Sequence, residues 1–255
     1  FTLDPEKAQA AITDKTRAIV VVHIYGQPAD LDAFKAITDE YGILLIEDCA
    51  QAHGAEYKGQ KVGTIGHMGT FSFYPTKNMG AYGDGGAIIT RDETFAENVR
   101  FLRNYGQTTR YTHQSRGTNS RLDEMQAAIL RVKLKHLDAH NERRREIAKI
   151  YDECLRGVVK PYVSDDVKHV YHLYVIRDGN RDQLMADLKD NGVGTLIHYP
   201  TPIHLQQSHQ DLGMGEGSLP ETEKAAKEIV SLPMYIGLTD DEIHQVCDAV
   251  NRLRG

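Results

Sequence analysis

The sequence holds no tryptophan, three cysteines and eight prolines in 255 residues. The cysteines, Cys49, Cys154 and Cys247, lie far apart with no CxxC pair, which excludes a readable zinc ribbon or disulfide framework. They are expected to be buried or inert thiols of a reducing, cytoplasmic environment. Long apolar runs are missing too. The cleanest are Ala18–Val22 and Ile43–Ile46, far short of the ~20 residues that a membrane-spanning helix needs. There is no basic excess, since 30 Lys+Arg against 36 Asp+Glu give a formal charge of −6, and a nucleic-acid footprint needs a basic face. What remains is an ordinary globular balance, 40% hydrophobic and 26% charged, without repeats or low-complexity segments. At ~150 residues per domain this length means one large domain or two unequal ones. The opening Phe1-Thr-Leu-Asp-Pro reads as the middle of a longer chain, and an N-terminal portion is expected to be missing.

The hydrophobic pattern alternates strands and helices. Residues 6–12 have a helical period, 18–23 form an apolar run suited to a strand buried on both faces, 31–41 a helix and 43–48 a second strand. Strand, helix, strand in this length is a βαβ unit of a parallel sheet. Strands follow at 68–74 and 87–90, with a glycine-rich loop at 80–86, and then a helix at 93–104. Apolar residues spaced three to four apart over 121–155 predict a long helical stretch with a bend near 138–141. Arg143, Arg144 and Arg145 on it read as a solvated face or ion-pair partners. Beyond Gly157 the pattern becomes α+β. Strands are expected at 171–177 and 194–198, and helices at 182–191, 221–231 and 240–252, the last with Thr239 as N-cap.

Three residues stand where chemistry is done. Asp48 ends a buried strand, and ligands of open parallel sheets bind beyond the carboxyl ends of strands. A carboxylate there can meet a cationic cofactor nitrogen; it can equally be a turn residue. Lys77 follows another strand and Pro75, among aromatic and small residues rather than other charges, where a lysine can lose a proton and form a Schiff base. Ser72 could donate a hydrogen bond to a phosphate. The glycines of 80–86 are followed by a strand, not a helix, so a dinucleotide loop is not expected. His198, His204 and His209 lack metal-site spacing, and no metal is expected.

These stretches resemble the DegT/DnrJ/EryC1/StrS family of PLP-dependent nucleotide-sugar aminotransferases. The carrying segments are VHIYGQP at 22–28, EDCAQAHG at 47–54, SFYPTKNMG at 72–80, GDGG at 83–86 and NSRLDEMQAA at 119–128. The resemblance implies an α/β type I aminotransferase fold: a large domain with a mostly parallel sheet over 1–137 and a small C-terminal domain over 138–255. It implies pyridoxal 5′-phosphate, with Lys77 forming the internal Schiff base, Asp48 pairing with the ring nitrogen, Gln51 near the 3-hydroxyl and Ser72 on the phosphate. Asn119 matches an asparagine that reaches the phosphate of the other subunit of a homodimer. Family chains start earlier, by roughly a third of their length, and the earlier part carries further phosphate and ring contacts.

The implied reaction moves an amino group from an amino acid, by family habit glutamate, to a nucleotide-linked keto sugar. The loop 197–206 looks like the branch that aminates C3 of a 6-deoxyhexose, with His198, Tyr199 and His204 lining the sugar pocket or simply packing a turn. Amination at C4 is the alternative within the family. A catalytically inactive fragment serving as a binding module is the alternative outside it.

Overall fold

In a computed structural model that describes residues 1–254, the chain divides into two compact units, 1–142 with 163–172, and 143–162 with 173–255. The first unit opens with α1 (Pro5–Ala10), β1 (Ala18–Val22), α2 (Leu31–Tyr41) and β2 (Leu44–Asp48). Asp30 caps α2 by accepting from Ala33 N–H, and Gly42 ends it in the left-handed conformation that glycine adopts at no steric cost. Short strands β3 (Glu56–Tyr57) and β4 (Gln60–Lys61) precede β5 (Met68–Ser72) and β6 (Gly86–Thr90). The main sheet has the order β1-β2-β5-β6, with β1, β2 and β5 parallel and β6 antiparallel to β5. The sheet is therefore the mostly parallel one that the βαβ pattern predicts.

Alternation along the strands sorts the side chains. Ile19, Val21, Leu45 and Glu47 are buried, in one core with Leu31, Phe34 and Ile37 of α2. The opposite face carries the register row Val22–Asp48–Thr70–Ile88, and its apolar members are open: Val20 is 53% exposed and Ile88 48%. The run 18–23 is thus buried on one face only.

After β6 come α3 (Glu93–Leu102), the hairpin β7 (Gln107–Thr109) and β8 (Thr112–His113), α4 (Glu124–Leu134), α5 (Leu137–Cys154) and β9 (Val167–Lys168). The expected bend in the long helical stretch falls at Lys135–His136, earlier than 138–141. There the bonds tighten to three-residue spacing, Lys135 N to Val132 O and His136 N to Lys133 O, before the four-residue pattern resumes at His140.

The second unit holds β10 (Tyr174–Arg177), α6 (Arg181–Asp190), α7 (Pro220–Glu228), β11 (Ile229–Leu232) and α8 (Asp240–Arg254). Antiparallel β10 and β11 are largely buried, and Tyr151 and Tyr174 pack with ring centres 4.8 Å apart. Two sequence expectations are corrected here. The helix predicted to 231 stops at Glu228, because buried, β-branched Ile229 and Val230 pair with β10. The strand predicted at 194–198 is a single bridge, Leu196 to Ser231; Pro200 and Pro202 beyond it lack the N–H that would extend a ladder. Thr239 does cap α8, accepting from Glu242 N–H while Glu242 accepts from Thr239 N–H. Of the arginine cluster, Arg143 pairs with Glu146 and Asp240. Arg144 is buried and donates to Met234 O, and that burial lowers its pKa to about 10. Among the described residues no helix is long and apolar enough to cross a membrane.

One buried carboxylate ties the first unit together. Glu47 accepts from the backbone N–H of Gly63 (2.6 Å), Ile65 (2.8 Å) and Gly66 (2.6 Å). Its fourth partner is His23 Nε2 at 3.1 Å. His23 Nδ1 accepts from Ala29 N–H, so the ring proton sits on Nε2 and is donated to Glu47. Burial pushes the Glu47 pKa up, but the bonds from His23, Gly66 and Gly63 outweigh it and hold the carboxyl below 4.5. A folded-state pKa below the unfolded one adds stability above the unfolded value, and this is lost as pH falls through the folded value. Melting temperature, followed by calorimetry down through the carboxylate range, should drop more steeply in the parent than in Glu47→Gln. At neutral pH that variant should be less stable by about 3 kcal/mol, because an amide nitrogen cannot accept the backbone bonds.

Candidate active site

Asp48 and Lys77 come to one edge of the main sheet, each for a local reason. Asp48 is the last residue of β2 and alternates with Glu47, so it faces away from the core that Glu47 enters. One carboxylate oxygen accepts from Ala50 N–H at 2.9 Å, which fixes the turn after the strand, and the other has no hydrogen-bond partner. Gln51, one turn on, is buried and accepts from Tyr25 N–H at 2.6 Å. Tyr25 itself sits at φ 59°, a left-handed conformation costly for a bulky side chain, so this bond holds a strained turn.

β5 ends at Ser72, whose hydroxyl oxygen accepts from Tyr74 N–H at 3.3 Å. Its own proton remains available to a ligand. The chain then folds back, with Lys77 N–H donating to Tyr74 O at 2.9 Å. Gly80 closes this turn; a Cβ there would strike the carbonyl oxygens of Pro75 and Tyr74. Asn78, beside Lys77, is tied at three points: to Asn141 Oδ1 (2.9 Å), to Val170 O (3.0 Å) and to His172 Nδ1 (3.2 Å). The Lys77 backbone is thereby held between an anchored neighbour and a tight turn.

The Lys77 ammonium is half-buried and makes no hydrogen bond or ion pair. Burial lowers its pKa below 10.5, and the Asp48 carboxylate partly restores it, which puts the two charges in one electrostatic neighbourhood. His53 lies there as well. Its ring is buried against Phe71 and Phe73, and both ring nitrogens lack a hydrogen-bond partner. Burial, then the Lys77 charge, pushes its pKa down to about 4, so it is neutral at pH 7.

Asn119 stands apart from these groups. It is exposed, bridges to Asn104, accepts from Arg121 Nε at 2.9 Å and shares no hydrogen bond with Asp48, Ser72 or Lys77. The other three expected residues belong to the second unit. His198 Nδ1 lies 2.8 Å from Ser231 Oγ, and Tyr199 is exposed. His204 is buried with Nε2 3.0 Å from Glu223 Oε1. Glu223 also accepts from Gly217 and Leu219 N–H, so His204 pins its loop to the start of α7.

His23, Glu47 and Cys49 are the trio whose ligand atoms lie within 4.8 Å of one another among the described residues. Both imidazole nitrogens and both carboxylate oxygens there are already hydrogen-bonded, so a cation would have to break that network. Sequence reasoning missed Glu47, Asn78, Asn141 and His53. The signal for Glu47 was its place beside Asp48 on one strand, which forces opposite faces; Asn141 gave none.

Comparison with known proteins decides the family. A model of the DegT/DnrJ/EryC1/StrS aminotransferase family matches residues 1–251. The chain belongs to that family. It is 49% identical to a pleiotropic regulatory protein of Geobacillus stearothermophilus, covering 98% of this chain and 68% of the relative. It is 46% identical to the dTDP-3-amino-3,4,6-trideoxy-alpha-D-glucose transaminase of Streptomyces venezuelae, covering 98% and 66%. The crystal structure of S. venezuelae DesV superposes with a TM-score of 0.96 at 46% identity, over 99% of this chain and 69% of that one. A family aminotransferase from Brucella abortus gives 0.95 at 33%, over 100% and 71%. The fold is the type I PLP-aminotransferase fold of these structures. The chain spans about two thirds of the length of the relatives it matches.

The donor set fits pyridoxal 5′-phosphate. An amine kept out of ion pairs suits an aldehyde, a carboxylate with an open oxygen suits a protonated ring nitrogen, and a hydroxyl with a free proton suits a phosphate. The charge coupling can be read without the cofactor. The rate at which trinitrobenzenesulfonate modifies Lys77, followed against pH, should show a midpoint below 10.5. Asp48→Asn should move it lower still, since a favourable negative charge is removed. An unchanged midpoint would show that Asp48 does not act on Lys77.

Proposed function

We propose that this chain forms the greater part of a PLP-dependent aminotransferase that transfers an amino group from an amino acid, glutamate, to a nucleotide-linked 3-keto-6-deoxyhexose. The observation that carries the reading is a half-buried Lys77, free of ion pairs, within the electrostatic reach of Asp48 at the carboxyl end of a parallel strand. Three relatives at 44–46% identity bear the names of transaminases of dTDP-3-amino sugars, which supports C3 of a 6-deoxyhexose. Two others, at 49% and 52%, are named for regulation or sensory transduction, which favours the binding-module reading. Lys77 favours catalysis, because a binding role has no need of a lysine kept out of ion pairs.

Within this reading the first unit is the cofactor domain and the second the small domain. When bound, pyridoxal 5′-phosphate supplies an electron sink for the carbon that changes its amine. Lys77 Nζ holds the cofactor and, once free, carries the proton at the reacting carbon. Asp48 accepts a hydrogen bond from the ring nitrogen and keeps it protonated. Gln51, steadied by Tyr25 N–H, stands near the 3-hydroxyl, and Ser72 Oγ donates to the phosphate. His198, Tyr199 and His204 shape the sugar side. His204 does so through its loop, since its Nε2 is bound to Glu223.

The enzyme works as a cytoplasmic homodimer in which Asn119 completes the partner's phosphate site. Asn119 is exposed and leads into α4, where Met125 is 79% and Val132 62% exposed, an apolar surface suited to a second copy.

Borohydride reduction in the presence of PLP should fix the cofactor on the peptide containing Lys77. With glutamate and a dTDP-linked 3-keto-6-deoxyhexose, the sugar should gain an amine, and Asp48→Asn should lower the rate about 100-fold or more. Amination of the 4-keto isomer alone would move the reading to the C4 branch, and trapping on no lysine would favour the binding module. In sedimentation, PLP should stabilise the dimer, and Asn119→Asp should weaken that effect more than Asn119→Ala, because it sets a negative charge against a phosphate. A monomer that binds PLP tightly regardless of Asn119 would rule the shared site out.

A further inference from the structure

The second unit brings together two cysteines and a histidine that have no part in the reading above. Cys154 is the last residue of α5 and is partly exposed. Its Sγ lies 3.4 Å from Nδ1 of His244 in the second turn of α8. Cys247, one turn further along α8, is buried and lies between His244 and a second α8 residue that also touches Cys154. Asn251, another turn on, clamps the end of α5: its Nδ2 donates to Cys154 O at 3.0 Å and its Oδ1 accepts from Arg156 N–H at 2.7 Å. Residues 244, 247 and 251 recur at three- and four-residue spacing, so one stripe of α8 faces the carboxyl end of α5. Cys154 is therefore fixed in backbone and side chain against α8, with a base in contact and Cys247 on the same stripe between the two contacts.

We propose that Cys154 and Cys247 are a peroxide-responsive dithiol, with His244 as the base that activates Cys154. Cys154 Sγ gives its proton to His244 Nδ1 and attacks one oxygen of a hydroperoxide. The O–O bond breaks, and the leaving hydroxide takes the proton from His244 as water, leaving Cys154 as a sulfenic acid. Cys247 Sγ then attacks Cys154 Sγ. The S–O bond breaks, and the leaving hydroxide takes the Cys247 proton as a second water. In sum, two thiols lose two electrons and one hydrogen peroxide becomes two waters. The two thiols have different roles because their surroundings differ. Burial, with Cys154 and Asp248 nearby, raises the Cys247 pKa to about 12 and keeps that thiol protonated, whereas Cys154 is accessible and has its base at hand. Cys49 is fully buried with its pKa pushed up by that burial and by Glu47 and Asp48, so it is the internal control. The product would link the end of α5 covalently to α8.

The test is mass spectrometry of the whole chain after hydrogen peroxide. The parent should lose the mass of two hydrogen atoms. Its digest should contain a Cys154–Cys247 cross-linked peptide that dithiothreitol separates, with Cys49 still alkylatable. In Cys247→Ala the sulfenic acid should accumulate on Cys154, where dimedone traps it. In His244→Gln the cross-link should form about ten-fold more slowly. The parent digest carries the result even if a variant fails to fold. Preferential oxidation of Cys49, a link between two chains in place of the internal one, or progression of Cys154 to a sulfinic acid with Cys247 untouched would overturn the proposal. So would protection of both thiols by stoichiometric zinc, which would assign the cluster to a metal.

Discussion

The first unit depends on a carboxylate that meets no water. Glu47 enters the core at the end of β2, and four hydrogen bonds offset the cost of burying its charge. Those bonds join three separate pieces of chain: the turn after β1, through His23; β2 itself; and the loop 63–66, through three backbone N–H groups. That loop lies so close to β5 that a Cβ on Gly69 would collide with the backbone of Gly63. Gly63 in turn takes φ +84°, open to glycine and strained for other residues. The order of the strands around Asp48 is thus fixed from beneath, by the residue immediately before it. A strand that sends one acid inward and the next outward gives the site a rigid floor without spending a site residue on it.

Much of the fold was legible because its signals are local. Helix α2 was expected at 31–41, and the structure places it at Leu31–Tyr41, capped by Asp30 and ended by Gly42. The cap of α8 was equally plain in Thr239. The failures came where partners distant in sequence decide. Residues 229–231 continue a helical pattern when read alone, and become a strand because β10 offers them a buried edge. The bend in the long helix depends on how one turn tightens, which no composition reveals.

The site divides in the same way. Asp48, Ser72 and Lys77 could be found from strand ends and a proline turn, and family membership rests on those motifs in sequence. What holds Lys77 in place could not be found so. Asn78 is one residue away, but its partners Asn141, Val170 and His172 lie 63 to 94 positions downstream. His53 was passed over because a histidine within an alanine- and glycine-rich turn has no pattern; only its unsatisfied ring nitrogens, beside a half-buried lysine, mark it. His204 shows the reverse, a residue chosen for its loop that is engaged inward with Glu223.

The open face of the main sheet bears on how this polypeptide behaves in a tube. β1, with the sequence AIVVV, is the outer strand of its sheet, and Val20 and Val22 on it are exposed. An edge of β-branched residues without charge or proline is a template for another strand, the kind of segment that seeds stacking between chains. Most soluble proteins place a lysine or a bulge at such a point as a gatekeeper. Here the nearest charge, Arg17, precedes the run without interrupting it. A single charge at Val20 is the smallest change that interrupts this exposed β-branched run.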